Sequence, residues 1–310
     1  MLALKNSNLN YNSLTTLTTD SIKDLQWWEK AIKTACNDIR FDQFDIEIFT
    51  DASRTGWGAY TSSNNVTNGY WSEEDQKRHI NFLEIKAIFF GLQCFTKESR
   101  NINVLIRTDN MTALTYINRM GGVQFPYLNV LARYIWQWCE ERNIWLVASY
   151  IQSKLNMEAD KASRIISEEA EWCLDQKYFD HIVSNLGMPE IDLFASKANH
   201  KCVKYFSWKK DPGSFGSDAF TFDWSKDFFY AFTPFSMILR VIRKIVSDGA
   251  TGILVVPYWP TQPWFPLFQK LQIKQIILKP SSTMLYSPFR KQHPLQRDLF
   301  LVAALLSGKL

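Results

Sequence analysis

No two of the five cysteines in this 310-residue chain stand at a spacing that points to a chemistry. Cys36, Cys94, Cys139, Cys173 and Cys202 are scattered and form no C-x-x-C pair, which excludes a disulfide framework and a zinc site of the usual spacing. Cys94 and Cys139 fall in apolar helical patterns and read as buried structural thiols. No apolar run reaches membrane-spanning length, and the first residues lack the basic-then-apolar order of a signal peptide. The expected setting is therefore cytoplasm or nucleus, with no membrane partner. Charge of one sign is also scarce: a net +4 gives no argument for nucleic acid beyond a local basic groove. No internal repeat is present. Aromatic residues are plentiful, with 22 Phe, 12 Trp and 12 Tyr, heaviest after residue 170. A hydrophobic fraction of 46% with 21% charged residues fits a folded globular protein, and the length suits two domains.

Residues 1–22 are rich in Asn, Thr and Ser and read as a tail. Asp20 or Ser21 is the expected cap of a helix running through Leu25, Trp28, Ile32 and Ala35. Its adjacent Trp27 and Trp28 suit either docking on another module or packing on this chain. From Asp45 the pattern turns to strands: Ile46–Asp51, Gly56–Tyr60 and a weaker Val66–Trp71, joined by turns at Arg54-Thr55 and Ser63–Asn65. A helix through Phe82, Ile85, Ile88, Phe89 and Leu92 follows, then a strand over Asn103–Thr108 and a short helix from Asn110. Gly121-Gly122 breaks the chain before a helix marked by Leu128, Leu131, Ile135 and Trp138. The strand Ile144–Tyr150 and a helix from Asn156 to Arg164 close this region. Three strands followed by β-α-β alternation predict a mixed sheet with helices on its faces.

Four acidic residues take matching places in that topology. Asp51 ends the first strand, Glu84 falls in the first turn of the next helix, Asp109 ends the following strand, and Asp160 lies in the last helix. Strand ends at one edge of a right-handed β-α-β sheet converge with the start of the crossover helix. Four carboxylates gathered there repel one another unless cations lie between them. Two Mg²⁺ ions, roughly 3.5–4 Å apart, would satisfy them and support in-line phosphoryl displacement by water. Oxygen-only ligands favour Mg²⁺ or Mn²⁺ over zinc. Taken singly, each acid has a plainer reading: a turn residue, a complement to a helix dipole, or an exposed helix position.

The segments Phe49-Thr50-Asp51-Ala52-Ser53, Leu83-Glu84-Ile85-Lys86-Ala87, Arg107-Thr108-Asp109-Asn110 and Asn156-Met157-Glu158-Ala159-Asp160-Lys161-Ala162-Ser163-Arg164 resemble the ribonuclease H domain of retroelement reverse transcriptases. The resemblance covers residues 44 to about 165. It implies that Asp51, Glu84, Asp109 and Asp160 bind two Mg²⁺ or Mn²⁺ ions and that the chain cuts the RNA strand of an RNA–DNA hybrid. It places Asn81, and Asn110 beside Asp109, against the hybrid, where an amide senses the 2′-OH. Asn81 is equally placed to cap the helix that carries Glu84. One departure stands out. Where the family often has His-x-Pro-Gly, this chain reads Tyr150-Ile151-Gln152-Ser153, and a tyrosine is no base near neutral pH.

From Glu168 a second α/β pattern begins: a helix around Ala170–Leu186, strands near Ile191–Ala195, Tyr205–Trp208 and Phe228–Phe232, a helix over Ser236–Ser247, and strands Gly252–Pro257 and Ile273–Leu278. Asp192-Leu193-Phe194-Ala195, Tyr205-Phe206-Ser207-Trp208 and Phe232-Thr233-Pro234-Phe235, together with the ribonuclease H part, resemble the pol region of DIRS-type, tyrosine-recombinase retrotransposons. The second segment of that region is similar to adenine-N6 DNA methyltransferases. Phe232 stands where the catalytic Asp or Asn would accept from the adenine amine, and a phenyl ring cannot make that bond. The Gly-rich continuation after Asp192 is absent as well. A methyltransferase-like fold without methyl transfer or bound cofactor is expected, or else these aromatics are simply core. No Tyr-x-Asp-Asp polymerase motif occurs.

The expected architecture is thus α/β. An N-terminal tail and helix (1–43) would be the end of a reverse transcriptase connection region, and Trp27 and Trp28 would dock on that enzyme's module. A ribonuclease H-like mixed five-stranded sheet with flanking helices (44–166) follows, then a second, smaller α/β methyltransferase-like domain (167–310). The expected function is a metal-dependent endoribonuclease on RNA–DNA hybrids. The alternative is a catalytically idle nucleic-acid-binding or structural retroelement remnant.

Overall fold

The structure, a computed structural model, describes residues 12, 14, 16–34, 43–164, 172–287, 293–295 and 297–309. Ala35 and Cys36, the expected boundary at 166/167 and the start of the helix expected from Ala170 lie outside the described residues.

The first unit is built on a five-stranded sheet. Strands β1 (Ile46–Ala52), β2 (Gly56–Thr61) and β3 (Val66–Tyr70) form an antiparallel meander. Strands β4 (Ile102–Thr108) and β5 (Ile144–Tyr150) then add in parallel beside β1, giving the order β3-β2-β1-β4-β5. This is the mixed sheet expected from the sequence. Helix α1 (Thr19–Ala31) precedes it, α2 (Ile80–Thr96) crosses its face, and α3 (Met111–Asn118) and α4 (Pro126–Glu140) connect β4 to β5. Helix α5 (Met157–Arg164) closes the unit. Ile48, Trp57, Ala59, Leu83, Ile88, Leu92, Val104 and Ile135 are buried in one core between the sheet and α2–α4. Helix α2 lies so close to the sheet that a Cβ on Gly91 would come within 3.2 Å of Thr50 and 3.3 Å of Ile48.

Helix α1 is capped by Thr18, whose hydroxyl accepts from the Ser21 amide, rather than by Asp20 or Ser21. Its Ile22, Leu25, Trp27, Trp28 and Ile32 are exposed, and an ion pair from Asp24 to Arg133 ties it to α4.

The second unit is built on a seven-stranded sheet, with a separate two-stranded pair beside it. After β6 (Cys173–Leu174) and α6 (Gln176–Leu186) come β7 (Ile191–Asp192), β8 (Lys204–Ser207), β9 (Gly216–Ser217) and β10 (Phe229–Phe232). Helix α7 (Ile238–Asp248), β11 (Thr251–Pro257), α8 (Phe265–Leu271), β12 (Gln272–Leu278), β13 (Leu285–Tyr286) and β14 (Leu301–Ser307) complete it. The order is β12-β14-β11-β10-β7-β8-β9, with β14 antiparallel to both its neighbours and β7 to β11 parallel. Strands β6 and β13 pair apart from this sheet.

The two units meet along β3, the edge of the first sheet. Thr67 donates its hydroxyl to the Lys210 carbonyl, Lys209 donates to the Asn68 side chain, and Lys97 Nζ reaches the Ser214 carbonyl at 2.8 Å. An exposed strand edge invites pairing with other chains, and here the segment around Lys209-Lys210 covers it. A cavity of about 860 Å³ opens beside this seam, lined by Asn68 and Tyr70 of β3 and by Asp192, Trp208, Phe232 and Phe235.

Candidate metal centre

The register of β1 against β4 sets the site. Phe49 pairs with Arg107, so Asp51 and Asp109, each two positions further on, lie level at neighbouring strand ends. Side chains alternate along a strand, so both point to the same side of the sheet. Helix α2 delivers Glu84 to the same place. Glu84 lies just past the first turn of α2, not within it as expected, and it is buried rather than poised over the helix dipole. Oxygen atoms of Asp51, Glu84 and Asp109 all lie within 4.8 Å of one another.

The electrostatics follow from that crowding. Burial, then the neighbouring Asp51 and Asp109 charges, pushes the Glu84 carboxyl up to about 9, partly offset by a hydrogen bond from the Ala52 amide. Its Oε2 is buried with no hydrogen-bond partner. Asp51 is also raised, first by burial and then by Asp109 and Asp160, while a hydrogen bond from Ser163 and the Arg164 charge act the other way. An unpartnered buried carboxylate oxygen between two further carboxylates is costly on its own, and a divalent cation would offset it. The donor set is all oxygen, which fits Mg²⁺ or Mn²⁺.

Asp160 stands apart from the three. Its Oδ1 accepts from Arg164 Nε at 2.8 Å and Nη2 at 2.6 Å, one turn along α5. The helix is nonetheless pinned to the site. Ser163 Oγ donates to Asp51 Oδ2 at 2.6 Å, Ser53 Oγ donates to the Ser163 carbonyl at 2.8 Å, and Asn156 Nδ2 donates to the Thr50 carbonyl at 3.0 Å. On the other side Ser153 Oγ donates to Asp109 Oδ2 at 2.6 Å. Ser163, Asn156 and Ser153 were present in the quoted segments, but nothing in their spacing announces a bond to residues 44 to 112 positions away.

Asn81 and Asn110 meet each other: Asn110 Nδ2 donates to Asn81 Oδ1 at 3.1 Å. Asn110 also caps α3, accepting from the Ala113 amide at 2.9 Å. Asn81 does not cap α2. That role belongs to His79, whose Nδ1 accepts from the Asn81 amide at 3.2 Å. Tyr150 sits exposed at the end of β5.

At the cavity beside the β3 seam, Asp192 is buried and its carboxylate accepts from the amides of Phe194 at 3.3 Å and Lys201 at 3.0 Å. Burial raises it to about 6 against those bonds. Its oxygens therefore organise the loop that follows β7.

No protein-family profile matches the chain, and no curated protein does. Among solved structures, it is similar to the ribonuclease H1 of the halophilic archaeon Halobacterium salinarum, at 15% identity over 38% of this chain and 92% of that one, with a TM-score of 0.32. It is similar to the compost-derived LC11 ribonuclease H1 in complex with an RNA/DNA hybrid, at 23% identity over 38% and 93%, with a TM-score of 0.33. A third likeness is to the foamy viral protease-reverse transcriptase in complex with an RNA/DNA hybrid, at 14% identity over 53% of this chain and 28% of that one, with a TM-score of 0.28. No described helix is long and apolar enough to cross a membrane.

Proposed function

We propose that this chain is a divalent-metal-dependent nuclease that cuts the RNA strand of RNA–DNA hybrids, as part of a retroelement reverse transcriptase of the DIRS type. The observation that carries the reading is the convergence of Asp51, Glu84 and Asp109 within 4.8 Å, with one buried oxygen of Glu84 left unpartnered. Asp51, Glu84, Asp109 and Asp160 would hold two Mg²⁺ or Mn²⁺ ions. Such ions supply Lewis acidity and an activated water for phosphodiester hydrolysis. The chain's own residues fix the ligands: Ser163 orients Asp51, and Ser153 orients Asp109. The Asn81–Asn110 pair would face the minor groove and sense the ribose hydroxyl. Trp27 and Trp28, about half exposed, would dock on the polymerase module.

In this reading residues 1–43, 44–166 and 167–310 are separate modules, the last methyltransferase-like. The position of β14, antiparallel between β11 and β12, and the strand order reversing between β7 and β10 support that likeness. Phe232 lines the cavity, and the Asp192 carboxylate is committed to backbone amides, which supports a scaffold without methyl transfer.

Tyr150 favours a second reading, a catalytically idle nucleic-acid-binding or structural remnant, because a phenol stands where the resembled family often has a histidine. Incubation of labelled hybrid with Mg²⁺ separates the two. The nuclease reading expects cleavage by the parent and none by Asp109→Asn; intact hybrid with the parent supports the remnant.

A further inference from the structure

Asp160 is the one expected ligand outside the cluster formed by the other three, and its carboxylate is held by a cation. Both bonds it accepts come from Arg164, and the pair is largely solvent-exposed, with 65% of the arginine and 45% of the aspartate side chain accessible. An exposed ion pair of this kind contributes little to stability and yields readily to a better partner. A phosphate is such a partner, because the guanidinium fork pairs with two of its oxygens at once. Helix α5 itself cannot shift easily. Ser163 and Asn156 bond it to β1, and Ser53 bonds its last turn to the β1–β2 turn. The helix thus holds Asp160 near enough for its charge to act on Asp51.

We infer that Arg164 is a positioning residue, a latch that holds Asp160 off the three-carboxylate cluster until a backbone phosphate of the nucleic acid takes the guanidinium. The inference rests on the metal-centre reading. It makes completion of the ligand set depend on nucleic acid being bound, so that the full site forms only on its substrate.

Two measurements on the full chain test it. The first is Mn²⁺ binding followed by electron paramagnetic resonance of the free ion. Arg164→Gln is expected to bind Mn²⁺ about fivefold more tightly than the parent, or to gain a second ion, because Asp160 is released. Asp160→Asn combined with Arg164→Gln is expected to return to the parent isotherm. A gain that persists in the double variant reports only the lost positive charge and overturns the latch. Identical isotherms for parent and Arg164→Gln overturn the latch alone, whereas Mn²⁺ binding by neither overturns the metal centre and the latch together. The second measurement is hybrid binding by fluorescence anisotropy in EDTA. Arg164→Gln is expected to reduce the slope of log affinity against log salt by about one, the signature of one lost phosphate contact. An unchanged slope overturns the latch.

Discussion

Ser163 donates its hydroxyl to Asp51 Oδ2 at 2.6 Å, joining the last helix of the first unit to the end of its central strand. That bond favours the ionised carboxylate in a place where burial disfavours it. Ser163→Ala therefore raises Asp51 further. The rising limb of the pH–rate profile for hybrid cleavage is expected to move upward, because a hydrogen bond to the charged form is lost. A limb that stays in place would show that Ser163 only packs.

Glu84 links the site to folding. The folded chain keeps this carboxyl protonated up to about 9, while the unfolded chain releases the proton near 4.5. Between those values the unfolded state binds fewer protons, so stability in EDTA falls as pH rises across that window and is fullest below 4.5. Glu84→Gln removes the titration. It is expected to raise Tm in EDTA at pH 7.5 and to flatten the pH dependence between pH 5 and 9. Calorimetric melts across that range check this.

Mg²⁺ should reverse the order. An ion bound by the native state alone stabilises it by about 2.7 kcal/mol at a hundred times Kd. The parent's Tm is expected to rise with Mg²⁺, and that of Glu84→Gln or Asp109→Asn to rise much less. Equal gains for parent and variants would place the ion elsewhere.

Gly58 fixes how closely α5 approaches the sheet. A Cβ there would lie 2.5 Å from the Ala159 carbonyl oxygen and 2.5 Å from the Ser163 nitrogen. Gly58→Ala must push the helix outward, at a cost of about 1–3 kcal/mol, and should break the Ser163–Asp51 bond. Loss of both Tm and hybrid cleavage is expected, with cleavage falling more than stability alone accounts for at low temperature.

Contacts across β3 couple the two units. Thr67 is buried and donates to the Lys210 carbonyl. Thr67→Val should lower stability by about 1 kcal/mol while the chain still melts in one transition. Two transitions, only one of them shifted, would mean that the units fold independently.

Much of this was legible in the residues. The meander of β1–β3, the crossover helix and the level positions of Asp51 and Asp109 follow from strand alternation and turn residues, which are local signals. Glu84 was found, but its depth was not: His79, an uncommon cap, starts the helix two residues before Asn81, so Glu84 falls past the first turn. Asp160 was found as a residue, yet its side chain is claimed by Arg164, a partner on the same helix that the pattern left unremarked. The strand Leu301–Ser307 escaped notice altogether. Its Leu-Val-Ala-Ala-Leu-Leu-Ser run is buried on both faces between β11 and β12, so it lacks alternation, and a short continuous apolar run does not distinguish strand from helix. Likewise β7 is two residues long where five were expected, because the chain turns at Asp192 to bond its carboxylate to the amides of Phe194 and Lys201.

The central claim is tested most directly by a strand-resolved cleavage assay. A hybrid duplex carries one label on its RNA strand and another on its DNA strand, and is incubated with the full chain and Mg²⁺, with EDTA and Asp109→Asn as controls. The account predicts fragments of the RNA strand alone, formed only with Mg²⁺ and only by the parent. An intact RNA strand with the parent, or RNA cleavage that survives in Asp109→Asn, would contradict it.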